Sequence, residues 1–187
     1  MNVYDFDKTI FYPDSSATFF RFCLRRYPAA VLAVLPRAVP MVLGYRRGRV
    51  SAKELKQQLF SFLKKMQDPE KLVEAFWEEN LSRLGDWYLE QKRPDDVIIS
   101  ASPVFLLAPV CRQLGVHLIA TDMDIDSGLI RGENCHDTEK PRRFFLQYPQ
   151  GHVDAFYSDS LSDTPMAELA DRAWLVRKHR LSPWPEK

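Results

Sequence analysis

MNVYDFDKTI, residues 1–10, opens the chain with a short apolar run that ends in two aspartates one residue apart, Asp5 and Asp7. In an extended chain, residues two apart share a side, so the carboxylates point the same way while that geometry persists. Crowded carboxylates repel unless a cation sits between them or one keeps its proton. The pair therefore indicates a divalent metal or an acid/base couple; the structural alternative is two aspartates that cap a turn at a strand end.

Further apolar runs read as buried strands: VIIS (97–100), VHLIAT (116–121), VDAFY (153–157) and AWLVR (173–177). Helical text lies between them, at Pro103–Leu114, which closes before Gly115, and at Thr164–Asp171. MDIDSGLIRGENC (123–135) reads as a β-hairpin after the third strand. Alternation of this kind gives an α/β fold, a Rossmann-like parallel sheet flanked by helices, whose active site lies outside the carboxyl ends of the strands.

About 80 residues separate Ile10 from Pro94, where a crossover connection needs about a dozen. Their text is helical: SATFFRFCLRRY, then the proline-broken AAVLAVLPRAVPMVLG (29–44), then SAKELKQQLFSFLKKM with Ser51 and Glu54 as a capping box, then DPEKLVEAFWEENLSRL. The expected division is an α/β core of residues 1–12 and 92–187 with an all-helical insertion at 13–91. Run 29–44 carries Pro36, Arg37 and Pro40 and is too short to span a bilayer. It reads as a kinked pair of buried helices, or else as an apolar face resting on a membrane.

Charge is unevenly spread. From Arg21 to Lys56 there are nine basic residues against the single acid Glu54, a balance of +8 in a chain of net +1, which leaves −7 for the rest. A basic appendage on an acidic body draws anionic ligands, or is an arginine-decorated helix surface. No recognised nucleic-acid module accompanies these arginines, so no nucleic-acid partner is expected. Cys23, Cys111 and Cys135 are odd in number and widely spaced, which argues against a disulfide framework and for a reducing cytoplasm. The amino end enters a strand without the pattern of a secretion signal.

The other strand ends raise the value of the aspartate pair. VIIS delivers the Ser100 hydroxyl; Lys140 stands at a helix start with Pro141; YSDSLSD (157–163) delivers Asp159, with Asp163 four residues on. Together these put four acids, a hydroxyl and a cation on one rim of one sheet, a composition suited to a phosphate held against Mg²⁺. His117, His136, His152 and His179 lack metal-ligand spacing, Asp122, Asp124 and Asp126 read as a solvated face, and Trp77 and Trp87 as packing residues.

These motifs resemble the haloacid dehalogenase superfamily, in its phosphoserine-phosphatase-like branch. DFDKT resembles its DxDxT motif, VIISAS the strand ending in Ser or Thr, EKPRRF the lysine motif, and YSDSLSD the GDSxxD pattern, with Ser158 where glycine is usual. The resemblance implies a Mg²⁺-dependent phosphomonoesterase acting on a small phosphorylated metabolite, with Asp5 as nucleophile and Asp7 as general acid and base. It further implies that Ser100 and Lys140 hold the phosphoryl oxygens, that Asp5, Asp7, Asp159 and Asp163 make up the metal set, and that 13–91 is a substrate-selecting cap.

DSSATFFRFCLRRYPAAVLAVLP (14–36) also resembles the cap start of phosphatidylglycerophosphate phosphatases, which implies a lipid-headgroup substrate and a peripheral contact with the inner face of a membrane. A phosphate-accepting receiver domain uses similar residues, but its acceptor aspartate follows its acidic cluster and it lacks a large insertion. A catalytically dead binding module would have lost a nucleophile or a metal ligand, and neither is missing here.

Overall fold

Adjacent residues of the first strand face opposite cores, and this settles the architecture. The computed structural model describes residues 1–178 and 180–185. Strand β1 (Asn2–Tyr4) leads into α1 (Ser15–Arg26), α2 (Pro28–Leu32), α3 (Leu35–Arg46), α4 (Ala52–Phe60), α5 (Pro69–Asn80) and α6 (Asp86–Gln91). The chain continues through β2 (Val97–Pro103), α7 (Val104–Leu114), β3 (His117–Thr121), α8 (Glu139–Gln147), β4 (Val153–Ser158), α9 (Thr164–Ala167), β5 (Ala170–Arg177) and β6 (Arg180–Pro183).

The strands form one sheet in the order β3-β2-β1-β4-β5-β6, parallel throughout except for β6. Registers Val3↔Val97 and Val3↔Phe156 stack aliphatic and aromatic groups on one face, while Tyr4↔Ile98 and Tyr4↔Tyr157 do so on the other. The rings of Tyr4 and Tyr157 lie parallel at 4.6 Å. Two cores result, as a doubly covered parallel sheet requires. From β1 the chain passes to β2 on one side and the later β4 lies on the other, so their carboxyl ends frame a topological switch point, where ligands bind in such sheets.

Local signals account for the helix boundaries. The Asp14 carboxylate accepts from Ala17 N, Ser51 and Glu54 form both halves of a capping box, and Asp68 accepts from Lys71 N just before Pro69. Gly115 ends α7 in the left-handed region at φ 70°. The helical insertion shares one core with the sheet: Phe19, Phe22, Phe60, Phe76 and Trp77 join Tyr4, Phe6, Leu106 and Val110, and Trp77 Nε1 donates to the Leu106 carbonyl at 2.6 Å.

The structure departs from the sequence expectation at four places. The helix expected over 164–171 stops at Ala167, and β5 starts earlier, at Ala170. β6 has no apolar alternation and all its residues are exposed, so nothing in its text marked it as a strand. The expected hairpin at 123–135 is a loop with one bridge, Met123–Ile130, because Asp124 accepts from both Ser127 N and Ser127 Oγ and turns the chain instead. Finally, α2 and α3 form the kinked pair but are not buried: within them only Val31 and Ala38 are.

Helix α4 clasps the 128–134 loop. Gln57 Oε1 accepts from Ile130 N at 2.8 Å, and Lys53 Nζ donates to the Gly132 carbonyl. Gly128 has φ 70°, and a Cβ there would stand 2.6 Å from the Phe60 carbonyl oxygen. Gly128→Ala is expected to cost about 1–3 kcal/mol through left-handed strain and backbone collision. The melting temperature should then fall by about 2–4 °C per kcal/mol; an unchanged melting curve would contradict this packing.

Candidate active site

The site is built around a buried ammonium. Lys140, in the first turn of α8 and 2% exposed, donates to Asp5 Oδ1 and to Asp163 Oδ2, each at 2.7 Å. Asp5 follows β1 directly, its N–H donating to the Tyr157 carbonyl, and among the described residues its Oδ2 accepts only a long 3.3 Å bond from Thr9 Oγ1. Thr9 Oγ1 in turn accepts from Asp159 N at 2.9 Å, which ties the β1 loop to the loop after β4. Ser158 Oγ donates to Asp163 Oδ2 at 2.7 Å and accepts from Ser160 N. The serine in the usual glycine position thus anchors the second acid of its own motif.

Asp7 turns to a different set of donors. Its Oδ1 accepts from Ser15 N at the start of α1, and its Oδ2 from Ser102 Oγ, both at 2.5 Å. Ser102 N donates to Ser100 Oγ at 3.1 Å, so the Ser100 hydroxyl and the Asp7 carboxylate are set by one residue. Burial, together with nearby Asp14, pushes Asp7 up to about 6 against the opposing hydrogen bonds from Ser102 and Ser15. Burial also pushes Asp5 up to about 7, opposed by Lys140 and reinforced by Asp163 and Asp7. Burial alone would lower the Lys140 ammonium, but Asp5 and Asp163 outweigh it and hold the proton on.

All six residues singled out in the sequence meet in this region, with different orientations. The Asp7 side chain is engaged by α1 and Ser102, and the Asp163 side chain by Lys140 and Ser158. The half-buried Asp159 carboxylate makes no hydrogen bond or ion pair among the described residues, and burial raises its pKa, opposed by Lys8. An unpartnered carboxylate on a loop that Thr9 ties to Asp5, in an all-oxygen donor set, fits a hard divalent cation. His152, Asp154 and Asp171 do converge closely, but they are surface groups around the Met1 amine, at the amino ends of β4 and β5. His179 lies outside the described residues.

Three contributors were not assigned a role from the sequence. Thr9 and Ser102 stood inside quoted motifs, where spacing alone does not show what they bond. Lys56, from α4, had no motif: its Nζ donates to the Ala101 carbonyl at 2.7 Å and to Asn134 Oδ1 at 2.8 Å. The recurrence of Lys53, Lys56, Gln57 and Phe60 on one helical face was the available signal. Burial pushes the Lys56 ammonium down to about 8, opposed by Asp7 and Asp14.

The model of the haloacid dehalogenase-like hydrolases matches residues 3–168. The chain belongs to this family. Protein CicA of Caulobacter vibrioides is 29% identical over 181 residues, covering 90% of this chain and 82% of CicA. The crystal structure of a protein of unknown function from Bordetella pertussis Tohama I superposes with a TM-score of 0.77 at 25% identity, over 92% of this chain and 87% of that one. A substrate-bound phosphoserine phosphatase superposes with a TM-score of 0.61 at 13% identity, over 91% and 82% of the two chains, a likeness of fold. In this haloacid dehalogenase-like hydrolase, Asp5 and the 158–163 loop stand at the switch point that its own sheet order defines.

Two substitutions probe this geometry. Ser158→Ala removes a hydrogen bond to a buried charge and should lower stability by about 1.5–3 kcal/mol in denaturant titration; no change would show that Asp163 is held without it. Lys56→Met should leave the far-ultraviolet circular dichroism intact and lower kcat/KM by about 10- to 100-fold, because it displaces the strand end that carries Ser100 and Ser102. Unchanged kinetics would limit Lys56 to packing.

Proposed function

We propose that this hydrolase is a Mg²⁺-dependent phosphomonoesterase that works through an aspartyl-phosphate on Asp5, with a small phosphorylated metabolite as substrate. The observation that supports this most is the asymmetry of Asp5: one carboxylate oxygen is fixed by Lys140 at 2.7 Å, while the other has, among the described residues, just the long bond from Thr9 and is available for attack. In the first step Asp5 Oδ2 bonds to phosphorus as the ester P–O bond breaks, and Asp7 gives a proton to the departing alcohol. In the second, Asp7 takes a proton from water, the water oxygen bonds to phosphorus, and the Asp5–phosphorus bond breaks to release phosphate and restore the carboxylate. Ser100 and Lys140 hold the phosphoryl oxygens throughout.

Mg²⁺ held by the Asp5 and Asp159 carboxylates and the Asp7 carbonyl would offset phosphoryl charge. Asp163, bonded to Lys140 and Ser158, would act on that ion indirectly by orienting its neighbours. Residues 13–91 serve as the cap over the core of 1–12 and 92–187, and the α4 clasp is what holds the cap to the loop beside the site. Three buried, unpaired cysteines suit a reducing cytoplasm.

A second reading, hydrolysis of a lipid headgroup such as phosphatidylglycerophosphate, is favoured by one feature. An apolar groove of about 420 Å³ is lined by Phe20, Tyr45, Leu55 and Leu59, with Ser16 and Lys56 also in its wall. Ser16 Oγ lies 2.9 Å from Ser102 Oγ, which bonds Asp7, so the groove opens on the side where the leaving alcohol is protonated.

The test is phosphate release with Mg²⁺ from phosphoserine, sugar phosphates, an aryl phosphate and micellar phosphatidylglycerophosphate. Asp5→Asn should abolish turnover in a folded protein, and Asp159→Asn should raise the Mg²⁺ concentration needed for half-maximal rate by about tenfold or more. An active Asp5→Asn protein would overturn the mechanism. Micellar lipid hydrolysed no faster than the aryl phosphate would remove the second reading.

A further inference from the structure

Helix α3 presents its apolar stripe to water. Val39, Val42, Leu43 and Arg46 recur at helical spacing on one face and all are exposed, Val39 at 65% and Leu43 at 48%, whereas Ala38 is the buried residue of the helix. Leu32 of α2 is likewise 50% exposed, and the exposed Tyr27 and Tyr45 stand at the two chain ends of the α2–α3 segment. An amphipathic helix normally turns this stripe to the core.

The surrounding charge identifies the missing partner. Arg46, Arg47 and Arg49, at the carboxyl end of α3, are exposed and form no ion pair or side-chain hydrogen bond among the described residues. No acid occurs between Asp14 and Glu54, and the Glu54 carboxylate is taken by the Ser51 capping box. A second copy of the chain seated on a two-fold axis would set these arginines against themselves. Aliphatic residues flanked by tyrosines and unpaired arginines match an interfacial helix on anionic headgroups.

We propose that α2 and α3 dock the protein on an anionic lipid surface. Tyr45, at the carboxyl end of α3, is itself exposed and also lines the apolar groove, so a docked α3 brings that wall of the groove toward the bilayer. Docking is separate from catalysis, and its test does not use turnover.

The test is flotation of the full chain with phosphatidylcholine vesicles, with and without phosphatidylglycerol. The protein should float with the anionic vesicles, remain behind with the neutral ones, and be released by raised salt. Val39→Glu with Leu43→Glu should abolish flotation; Arg46→Gln, Arg47→Gln and Arg49→Gln together should weaken it on the order of 100-fold. All these positions are exposed, so circular dichroism and the thermal midpoint should stay at wild-type values, and the arginine variant serves where the glutamate variant does not fold. Failure of the wild type to float, equal flotation of a folded variant, or a dimer in sedimentation that the glutamate variant dissociates would each overturn the proposal.

Discussion

An ammonium taken out of water must be shared by carboxylates that are themselves held in place, and Lys140 meets that condition with Asp5 and Asp163 at 2.7 Å each. Removing one partner of such a group leaves a buried charge uncompensated, at about 3–5 kcal/mol. The residue that binds substrate charge in the proposed mechanism is therefore also a structural joint between α8, the end of β1 and the loop after β4. Stability and chemistry rest on one contact set, which explains why Ser158 and Thr9 add further bonds to the same acids.

The sheet makes this joint possible. β1 and β4 are neighbours though most of the chain lies between them, and their carboxyl ends bring Asp5 and the 158–163 loop side by side. The helical insertion, sharing an aromatic core with one face of the sheet, supplies the other wall: the first amide of α1 fixes Asp7, and Lys56 of α4 fixes the strand end that carries Ser100. Each carboxylate of the DFDKT stretch thus takes part of its orientation from an element distant in sequence, Asp5 from Lys140 and Asp7 from Ser102.

Strand ends are legible in the sequence because apolar runs stop at polar residues there; the acids and the serine of the site fall at or just past those stops, and the lysine at a helix start marked by Pro141. Bond partners were not. Asp7 and Asp163 stood among the metal acids in the sequence reading, yet which oxygen meets which donor depends on Ser15, Ser102 and Ser158 arriving from separate elements. Lys56 was hidden for the same reason, its partners lying 45 and 78 residues away. The 29–44 run reads as a buried helix pair or as a membrane-resting face because apolar density reports only a tendency to leave water, whereas burial needs a neighbour; α3 has α4 and α2 beside it and an open outer face.

The most direct measurement is rapid acid quench during turnover, followed by borohydride reduction and peptide mass spectrometry. An acyl phosphate on the nucleophile is reduced to the alcohol, so the account predicts homoserine at position 5 and nowhere else. Turnover with an unmodified Asp5, or reduction at Asp7 instead, would contradict it.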